Sequence, residues 1–252
     1  MSTEITKKFI FEPTADGSPT VRIVASPAQG TLSEAMHSLK GAFSETAYIY
    51  GEAIETTFTR GFSPTVLSMG LGLGYIELLA AGLFLKNDAL AGARGVSYEI
   101  IPELRDWFQD WLLEGEKSDI PNDFQKAYTE ILRRVAMHVG RSASDVRQAL
   151  KAMVRERRWL FAEALGVHTV FEQRFACVCF DAFSSKTNPD LWSEEFLRSF
   201  LENATEENCV LSTYACTGTL KRALRESGFD LDVRMGFANK RDSTFAVRTT
   251  RK

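Results

Sequence analysis

A glycine loop between a buried strand and an apolar helix restricts the fold of this chain more than any other feature. The strand-like residues Thr65–Met69 lead into Gly70-x-Gly72-x-Gly74, and an apolar helix follows to about residue 85. A second predicted strand, 95–99, ends on a carboxylate. Strand, loop, helix and strand in this order predict a parallel β-α-β unit, in which ligands bind beyond the carboxyl ends of the strands.

The rest of the sequence alternates between further strand-like and helical segments. A hairpin is predicted over about 8–25, because strand-like runs at 8–12 and 20–25 flank the turn residues Asp16-Gly17. This alternation predicts one α/β domain over 1–252, with a mostly parallel twisted sheet, helices on both faces and a basic helical insertion at about 119–166. The other predicted helices and strands lie at 33–40, 102–113, 123–139, 144–165 and 217–227, and at 175–180, 209–214, 231–235 and 243–248.

Composition narrows the class of protein. Hydrophobic residues make up 44% of the 252 residues and charged residues 25%, as in soluble globular proteins. No apolar run approaches the ~20 residues that cross a bilayer, and the polar start does not resemble a signal peptide. Cys177 and Cys179 share one face of a predicted strand, and the three histidines are scattered. We therefore expect a cytoplasmic protein with core cysteines and without a metal site.

The spacing in the glycine loop distinguishes between types of nucleotide site. Tyr75 stands where the third glycine of a dinucleotide fingerprint belongs, and no Gly-Lys-Ser/Thr follows that would indicate a phosphate-binding loop. The spacing is typical of S-adenosylmethionine-dependent methyltransferases, in which Glu99 would accept hydrogen bonds from the ribose hydroxyls. Ser68 replaces the acid that these enzymes usually carry two residues before the first glycine. The alternative interpretation is a tight turn that packs against a neighbouring helix.

The most informative segment is 177–192, which reads Cys-Val-Cys-Phe-Asp-Ala-Phe-Ser-Ser-Lys-Thr-Asn-Pro-Asp-Leu-Trp. It resembles the Asp-Ala/Gly-Phe-Ser/Ala-Pro-x-x-Asn-Pro-x-x-Trp hallmark of the MnmC-like tRNA methyltransferases. Segment 41–48 is similar to the Gly-x-x-Glu-Ser segment of that family, 222–229 to its Arg-x-Leu-x-x-Ala-Gly-Phe helix, and 236–241 to its Gly-Phe-Gly-x-Lys-Arg end. The resemblance covers about 41–113 and 175–248.

This resemblance implies a Rossmann-like class I fold with S-adenosyl-L-methionine as cofactor and tRNA as substrate. Members methylate the aminomethyl nitrogen on the wobble uridine of certain tRNAs, which upstream tRNA-modifying enzymes have prepared. By resemblance, Asp181 receives an N–H of the acceptor amine, and Asn188 and Pro189 shape the acceptor pocket. The residues predicted to bind the cofactor are Ser68, Gly70, Gly72, Gly74, Glu99 and Glu45.

The sequence departs from the family pattern at three places. Ser185 replaces a proline, Ser68 replaces the acid, and the Gly-Asp that ends the third strand is absent before Phe175. Some relatives are fused to a flavin-dependent oxidase, whereas this chain resembles the stand-alone methyltransferase form. A purely structural alternative makes Asp181 the N-cap of a following helix and Asn188-Pro189 a simple turn.

A basic stretch indicates where tRNA could bind. Residues 133–158 contain eight basic and two acidic side chains, in a chain whose net charge is −3. Four of the basic residues fall at helical spacing on one face, which is typical of a phosphate-binding surface, although a solvated helix face would show the same pattern. The predicted tRNA-binding residues are Arg147, Lys151, Arg155 and Arg158, with Lys240 and Arg241 from the C-terminal motif.

Together these features predict transfer of a methyl group from S-adenosyl-L-methionine to the aminomethyl nitrogen of a modified wobble uridine in tRNA. Two alternatives stay open at this point. The chain could be a methyltransferase of small-molecule amines that lost the tRNA substrate, or a non-catalytic RNA-binding relative. Binding of S-adenosyl-L-methionine distinguishes the non-catalytic RNA-binding relative from the two kinds of methyltransferase.

Overall fold

Alternating strands and helices fold into a seven-stranded sheet with a separate two-stranded hairpin. The computed structural model describes residues 9–23, 35–114, 119–239 and 242–250. The strands described there are β1 Phe9–Pro13, β2 Pro19–Ile23, β3 Thr65–Met69, β4 Arg94–Tyr98, β5 Trp159–Ala162, β6 Phe175–Phe180, β7 Thr205–Thr213, β8 Asp230–Arg234 and β9 Ser243–Arg248. Within these residues the sheet has the order β5-β4-β3-β6-β7-β9-β8, in which only β9 runs antiparallel to its neighbours.

Helices cover both faces of the sheet, because its central strands are apolar on both sides. Every side chain of β3 and β6 is buried. The helices are α1 Ala42–Thr46, α2 Glu52–Thr59, α3 Tyr75–Lys86, α4 Pro102–Leu113, α5 Asn122–Val139, α6 Ala143–Arg155, α7 Glu194–Ala204 and α8 Gly218–Glu226. The helices α2 to α6 pack on one face, and α7 and α8 pack on the other. The predicted Rossmann-like α/β fold is confirmed.

The strand order places a ligand crevice between β3 and β6. The chain leaves β3 towards β4 on one side, whereas β6 pairs with β3 on the other side, so the connections diverge there. Asp181 follows β6 directly, and its backbone N–H donates to the Met69 carbonyl at 3.1 Å. A Cβ on Gly70 would lie 2.7 Å from the Asp181 carbonyl oxygen. The glycine loop and the Asp181 segment are therefore immediate neighbours.

Two predicted helices differ from the structure. The helix predicted at 33–40 is wrong over its described part, since 35–40 form an isolated bridge, bends and a turn, while 33 and 34 lie outside the described residues. The helix predicted at 144–165 ends at Arg155, and Trp159–Ala162 instead form β5, parallel to β4. A Cβ on Gly95 would lie only 2.4 Å from the ring of the fully buried Trp159, so the ring packs directly on this glycine. The segment 119–166 is thus a helical crossover that ends in a sheet strand.

The predicted hairpin is confirmed in its described part, and its turn caps the first helix. The Asp16 carboxylate accepts hydrogen bonds from the Ser44 backbone N–H at 3.0 Å and from the Ser44 hydroxyl at 2.7 Å. It also accepts from the Ser18 N–H at 2.9 Å and the Thr14 hydroxyl at 2.7 Å. Although burial opposes it, this set of hydrogen bonds holds the pKa of Asp16 well below its usual value. The hairpin therefore fixes the start of the helix that runs from Ala42.

Candidate active site

A cavity of about 680 Å³ opens at the carboxyl edge of the sheet, beside the β3–β6 crevice. Its wall comes from the glycine loop, from the helix that begins at Ala42 and from the segments after β4, β5, β6 and β7. No lysine or arginine of the described chain lines it. Such a wall favours a ligand with positive charge. Five carboxylates line the cavity: Glu45, Glu99, Asp181, Asp190 and Glu195.

Glu99 ties the glycine loop to the end of β4. Its Oε2 accepts the backbone N–H of Gly72 at 3.0 Å, and its Oε1 accepts that of Ile101 at 2.9 Å. Burial raises the pKa of this carboxyl group, and the two backbone hydrogen bonds oppose the rise. Each carboxylate oxygen has a second lone pair, so Glu99 can still accept hydrogen bonds from a ligand in the cavity.

The three loop glycines have different roles. Gly70 and Gly72 line the cavity with φ angles of 93° and 52°, a region in which glycine is unstrained. Gly74 does not line it. A Cβ on Gly74 would lie 2.0 Å from the ring of Phe108, so this glycine allows close packing between the start of α3 and α4.

Ser68 lies inside the sheet, away from the cavity wall, which removes it from the predicted cofactor contacts. It is fully buried in β3, in register with Ser97 and Cys179. Glu77, on α3, lies beside it and accepts the Ser97 hydroxyl at 2.7 Å. The Oγ of Ser68 and the Oε2 of Glu77 have no hydrogen-bond partner among the described residues. Burial raises the pKa of Glu77 to about 7. A buried carboxyl group on α3 therefore lies next to Ser68, and it does not line the cavity.

Asp181 and Tyr50 form the polar centre of the cavity wall. The buried Tyr50 hydroxyl donates to Asp181 Oδ1 at 2.6 Å. Burial raises the pKa of Asp181 well above its usual value, the bond from Tyr50 counteracts part of this rise, and the negative charges of Glu45 and Glu77 add to it. No helix follows Asp181 directly, because residues 181–184 are irregular, so the N-cap alternative is wrong.

The sequence does not predict Tyr50 as a site residue, because a π-helical turn positions its side chain. Residues Ala47–Gly51 form this turn between α1 and α2, and such turns are frequent at functional sites. The glycine at its end has no side chain, and a Cβ there would lie 3.1 Å from Leu79 on α3. The sequence shows only two tyrosines near Glu45, and that pattern does not predict which of them faces Asp181.

The remaining predicted residues of the acceptor side lie in and behind the cavity wall. Asn188 lines the cavity, whereas the exposed Pro189 begins a short 3₁₀ turn, Pro189–Trp192, and does not line it. Trp192 is buried, and its Nε1–H donates to the Phe183 carbonyl at 2.8 Å. Glu45 is buried at the cavity, where its Oε2 accepts the Ser38 backbone N–H at 2.7 Å.

The predicted basic stripe on α6 is not an open phosphate-binding face. Lys151 is 5% exposed and pairs with Glu114, which also pairs with Arg147 at 3.2 Å. Arg158 donates to the carbonyls of Leu90 and Ala93 at 2.9 and 3.0 Å. The prediction is therefore wrong for these three residues, because they hold α6 and β5 to their neighbours. Only Arg155 of the four is exposed, and Lys240 and Arg241 lie outside the described residues.

Other predictions from composition concern the whole chain. Cys177, Cys179 and Cys209 are free thiols buried in the core, as expected, and Cys216 is partly exposed. Within the described ranges, no cluster of three potential metal ligands occurs. None of the helices described there has the length and apolar character to cross a membrane.

Comparisons with known proteins agree with this architecture. The family model of an S-adenosyl-L-methionine-dependent methyltransferase matches residues 156–249. The MnmC protein of Burkholderia multivorans, named for tRNA 5-methylaminomethyl-2-thiouridine biosynthesis, is 24% identical over 224 residues, which is 86% of this chain. The same protein of Hahella chejuensis is 37% identical over 67 residues. Most of this chain is similar to MnmC.

Each match covers only part of the relative's length. The matched parts make up 32% of the Burkholderia protein and 10% of the Hahella protein, so the chain spans a third or less of these MnmC relatives. The crystal structure of MNMC2 from Aquifex aeolicus superposes with a TM-score of 0.60 at 22% identity, covering 94% of this chain and 70% of that one. This likeness to MNMC2 supports the class I methyltransferase fold.

Proposed function

We propose that this MnmC relative transfers a methyl group from S-adenosyl-L-methionine to the aminomethyl nitrogen of a modified wobble uridine in tRNA. The observation that carries the proposal is the Tyr50–Asp181 pair, which faces the same cavity as Glu99 and the glycine loop. A carboxylate at the cavity wall suits an amine acceptor. The family match supports S-adenosyl-L-methionine as the methyl donor.

The residues that line the cavity suit this cofactor. Glu99 can accept the two ribose hydroxyls, and Gly70 and Gly72 leave backbone exposed for close approach. The cofactor carries a sulfonium and an ammonium group, which suit a wall with carboxylates and, among its described residues, without cationic side chains. Glu45 is the acid on this wall that can take the place of the one missing at Ser68.

The chemistry of the chain's own residues is positioning and proton acceptance. When bound, the cofactor supplies a methyl group that its sulfonium already activates. Asp181 can accept an N–H of the acceptor amine, orient its lone pair and take the proton that the amine loses. A carboxylate with a raised pKa is a stronger base than a solvated one, so burial serves this role. The Tyr50 bond fixes Asp181 Oδ1 and leaves Oδ2 for the amine.

We expect Glu99→Ala to weaken binding of S-adenosyl-L-methionine more than tenfold. The variant loses two acceptors for ribose, and it leaves the Gly72 and Ile101 N–H groups without their partner. Isothermal titration calorimetry of the folded variant measures this directly. Glu195→Ala, which removes another carboxylate that lines the same cavity, is the matched control and should change the affinity little. Equal affinities of wild type and Glu99→Ala would refute the ribose role, and wild-type protein that does not bind the cofactor would refute the proposed function.

We expect Tyr50→Phe to shift the acidic limb of the pH–rate profile to higher pH. The hydrogen bond from Tyr50 lowers the pKa of Asp181, so its loss raises that pKa further, and ionised Asp181 then appears only at higher pH. Tyr48→Phe, two residues away, is the control, because its hydroxyl donates to the Met235 carbonyl instead. Identical profiles for both variants would contradict the positioning role.

A further inference from the structure

The helix α8 carries three basic residues that, unlike Arg147 and Lys151 of α6, have no partner among the described residues. Lys221, Arg222 and Arg225 lie on this helix, and their side chains make no hydrogen bond or ion pair with any described residue. Arg222 and Arg225 are exposed and Lys221 is half-buried. The one acid of α8, Glu226, already pairs with Arg198 at 2.8 Å. The three cations are therefore uncompensated, unlike Arg147 and Lys151.

The fold connects the start of α8 to the cavity. Tyr214, four residues before the helix, lines the cavity, and its hydroxyl donates to the carbonyl of Ala182, the residue after Asp181. The next residue, Ala215, accepts the Thr244 hydroxyl at 2.7 Å, and the Thr217 side chain caps the helix. The apolar face of α8 is fixed in the core by Leu220, Ala223 and Leu224. The basic residues thus project from a rigid element whose first turn lies beside the acceptor side.

The cavity itself offers no counter-charge to RNA phosphates. Five carboxyl groups and, among the described residues, no lysine or arginine line it, so a polyanionic RNA backbone is not stabilised at its mouth. A modified uridine with a cationic aminomethyl group suits the cavity itself, whereas its flanking phosphates need cations outside it. Unpaired lysines and arginines supply the sequence-independent part of nucleic-acid affinity.

We propose that Lys221, Arg222 and Arg225 of α8 hold the phosphate backbone of the RNA substrate next to the cavity. This inference rests on the proposed function, because it takes the substrate to be tRNA. It replaces the predicted α6 stripe with a surface on the opposite face of the sheet. The α8 cations contact RNA only, so they affect its binding and leave cofactor binding unchanged.

The test compares two triple variants of equal charge change. The first replaces Lys221, Arg222 and Arg225 with Gln. The control replaces Arg60, Arg94 and Arg157 with Gln; these exposed residues lie before β3, at the start of β4 and before β5, at the opposite edge of the sheet, and their side chains make no hydrogen bond or ion pair with the described residues. Gln is a good helix former, and surface changes of this kind usually preserve the fold, which circular dichroism and calorimetry with S-adenosyl-L-methionine verify.

Fluorescence anisotropy with labelled tRNA that carries the aminomethyl uridine, at several salt concentrations, gives the affinity and its salt dependence. The α8 variant should bind at least about tenfold more weakly, and its logarithmic salt slope should fall by about two units, since each phosphate contact contributes ~0.7–0.9. The control should match wild type in both. Each protein should bind S-adenosyl-L-methionine equally.

Four results would overturn the assignment. An α8 variant with wild-type affinity and slope, in a protein that still methylates tRNA, refutes the α8 surface alone. Equal losses in both variants show that general charge attracts RNA, and a loss confined to the control places RNA at the amino edge of the sheet. Wild-type protein that binds the cofactor but no tRNA refutes this inference together with the tRNA part of the proposed function.

Discussion

Asp181→Asn is expected to reduce the turnover of methyl transfer at least ~100-fold, while the dissociation constant of S-adenosyl-L-methionine changes less than about twofold. The amide keeps the shape of the side chain and can still accept the Tyr50 hydroxyl, so the cavity wall is retained. It cannot take a proton from the amine or carry the negative charge that stabilises the developing cation. Single-turnover kinetics with saturating cofactor and tRNA measure the effect on the chemical step.

Asp190→Asn is the matched control for this experiment. Asp190 also lines the cavity but is exposed, and it follows Asp181 by nine residues in sequence. Its replacement should leave turnover within a factor of a few. Turnover of Asp181→Asn close to the wild-type value would mean that this carboxyl group serves the structure of the cavity and not the reaction.

Glu77→Gln is expected to make the stability of the protein less dependent on pH. Folding raises the pKa of Glu77 from 4.5 to about 7. The neutral form of Glu77 is therefore favoured in the folded state. The contribution of Glu77 to the stability of wild type is fully present below about pH 4.5 and is lost as pH rises through 7. The linkage amounts to ~3 kcal/mol over this window. The amide of the variant stays neutral at every pH, and it can keep the bond with the Ser97 hydroxyl and donate towards Ser68.

The comparison of unfolding free energies checks this expectation. Urea unfolding of wild type and Glu77→Gln at pH 5 and pH 8 should show the variant gaining on wild type by a few kcal/mol at the higher pH. Glu202→Gln, an exposed change on α7, should follow wild type at both values. A constant difference between Glu77→Gln and wild type across this pH range would contradict the buried, raised-pKa carboxyl group.

Local patterns were sufficient to predict the parts of the fold where each element has its own signal. The buried β3, the glycine loop and α3 follow from apolar runs and glycine spacing, and Pro102–Leu113 forms the predicted helix. The sequence does not predict the strand β5, because its four residues follow shortly after a helix and have no strand pattern of their own. It becomes a strand through tertiary contacts, where Trp159 packs on Gly95.

In the candidate site, too, the residues at strand ends could be predicted from the sequence, whereas contacts between residues far apart in the chain could not. Glu99 and Asp181 lie at strand ends, and topology alone brings strand ends to one edge of a sheet. The neutralisation of the α6 stripe depends on Glu114, which follows α4 and lies 37 residues from Lys151 in sequence. The Tyr50–Asp181 bond joins residues 131 positions apart. Spacing within one segment carries no information about such partners.

The most direct test of the proposed reaction is transfer of a labelled methyl group from S-adenosyl-L-methionine to tRNA. Two tRNAs of identical sequence serve as acceptors: one carries the aminomethyl wobble uridine, and the other is an unmodified transcript. The account predicts label only in the first, recovered after nuclease digestion in a single methylated aminomethyl nucleoside, and its loss with Asp181→Asn. Protein that binds the cofactor but leaves both tRNAs unlabelled, or labels both equally, would contradict it.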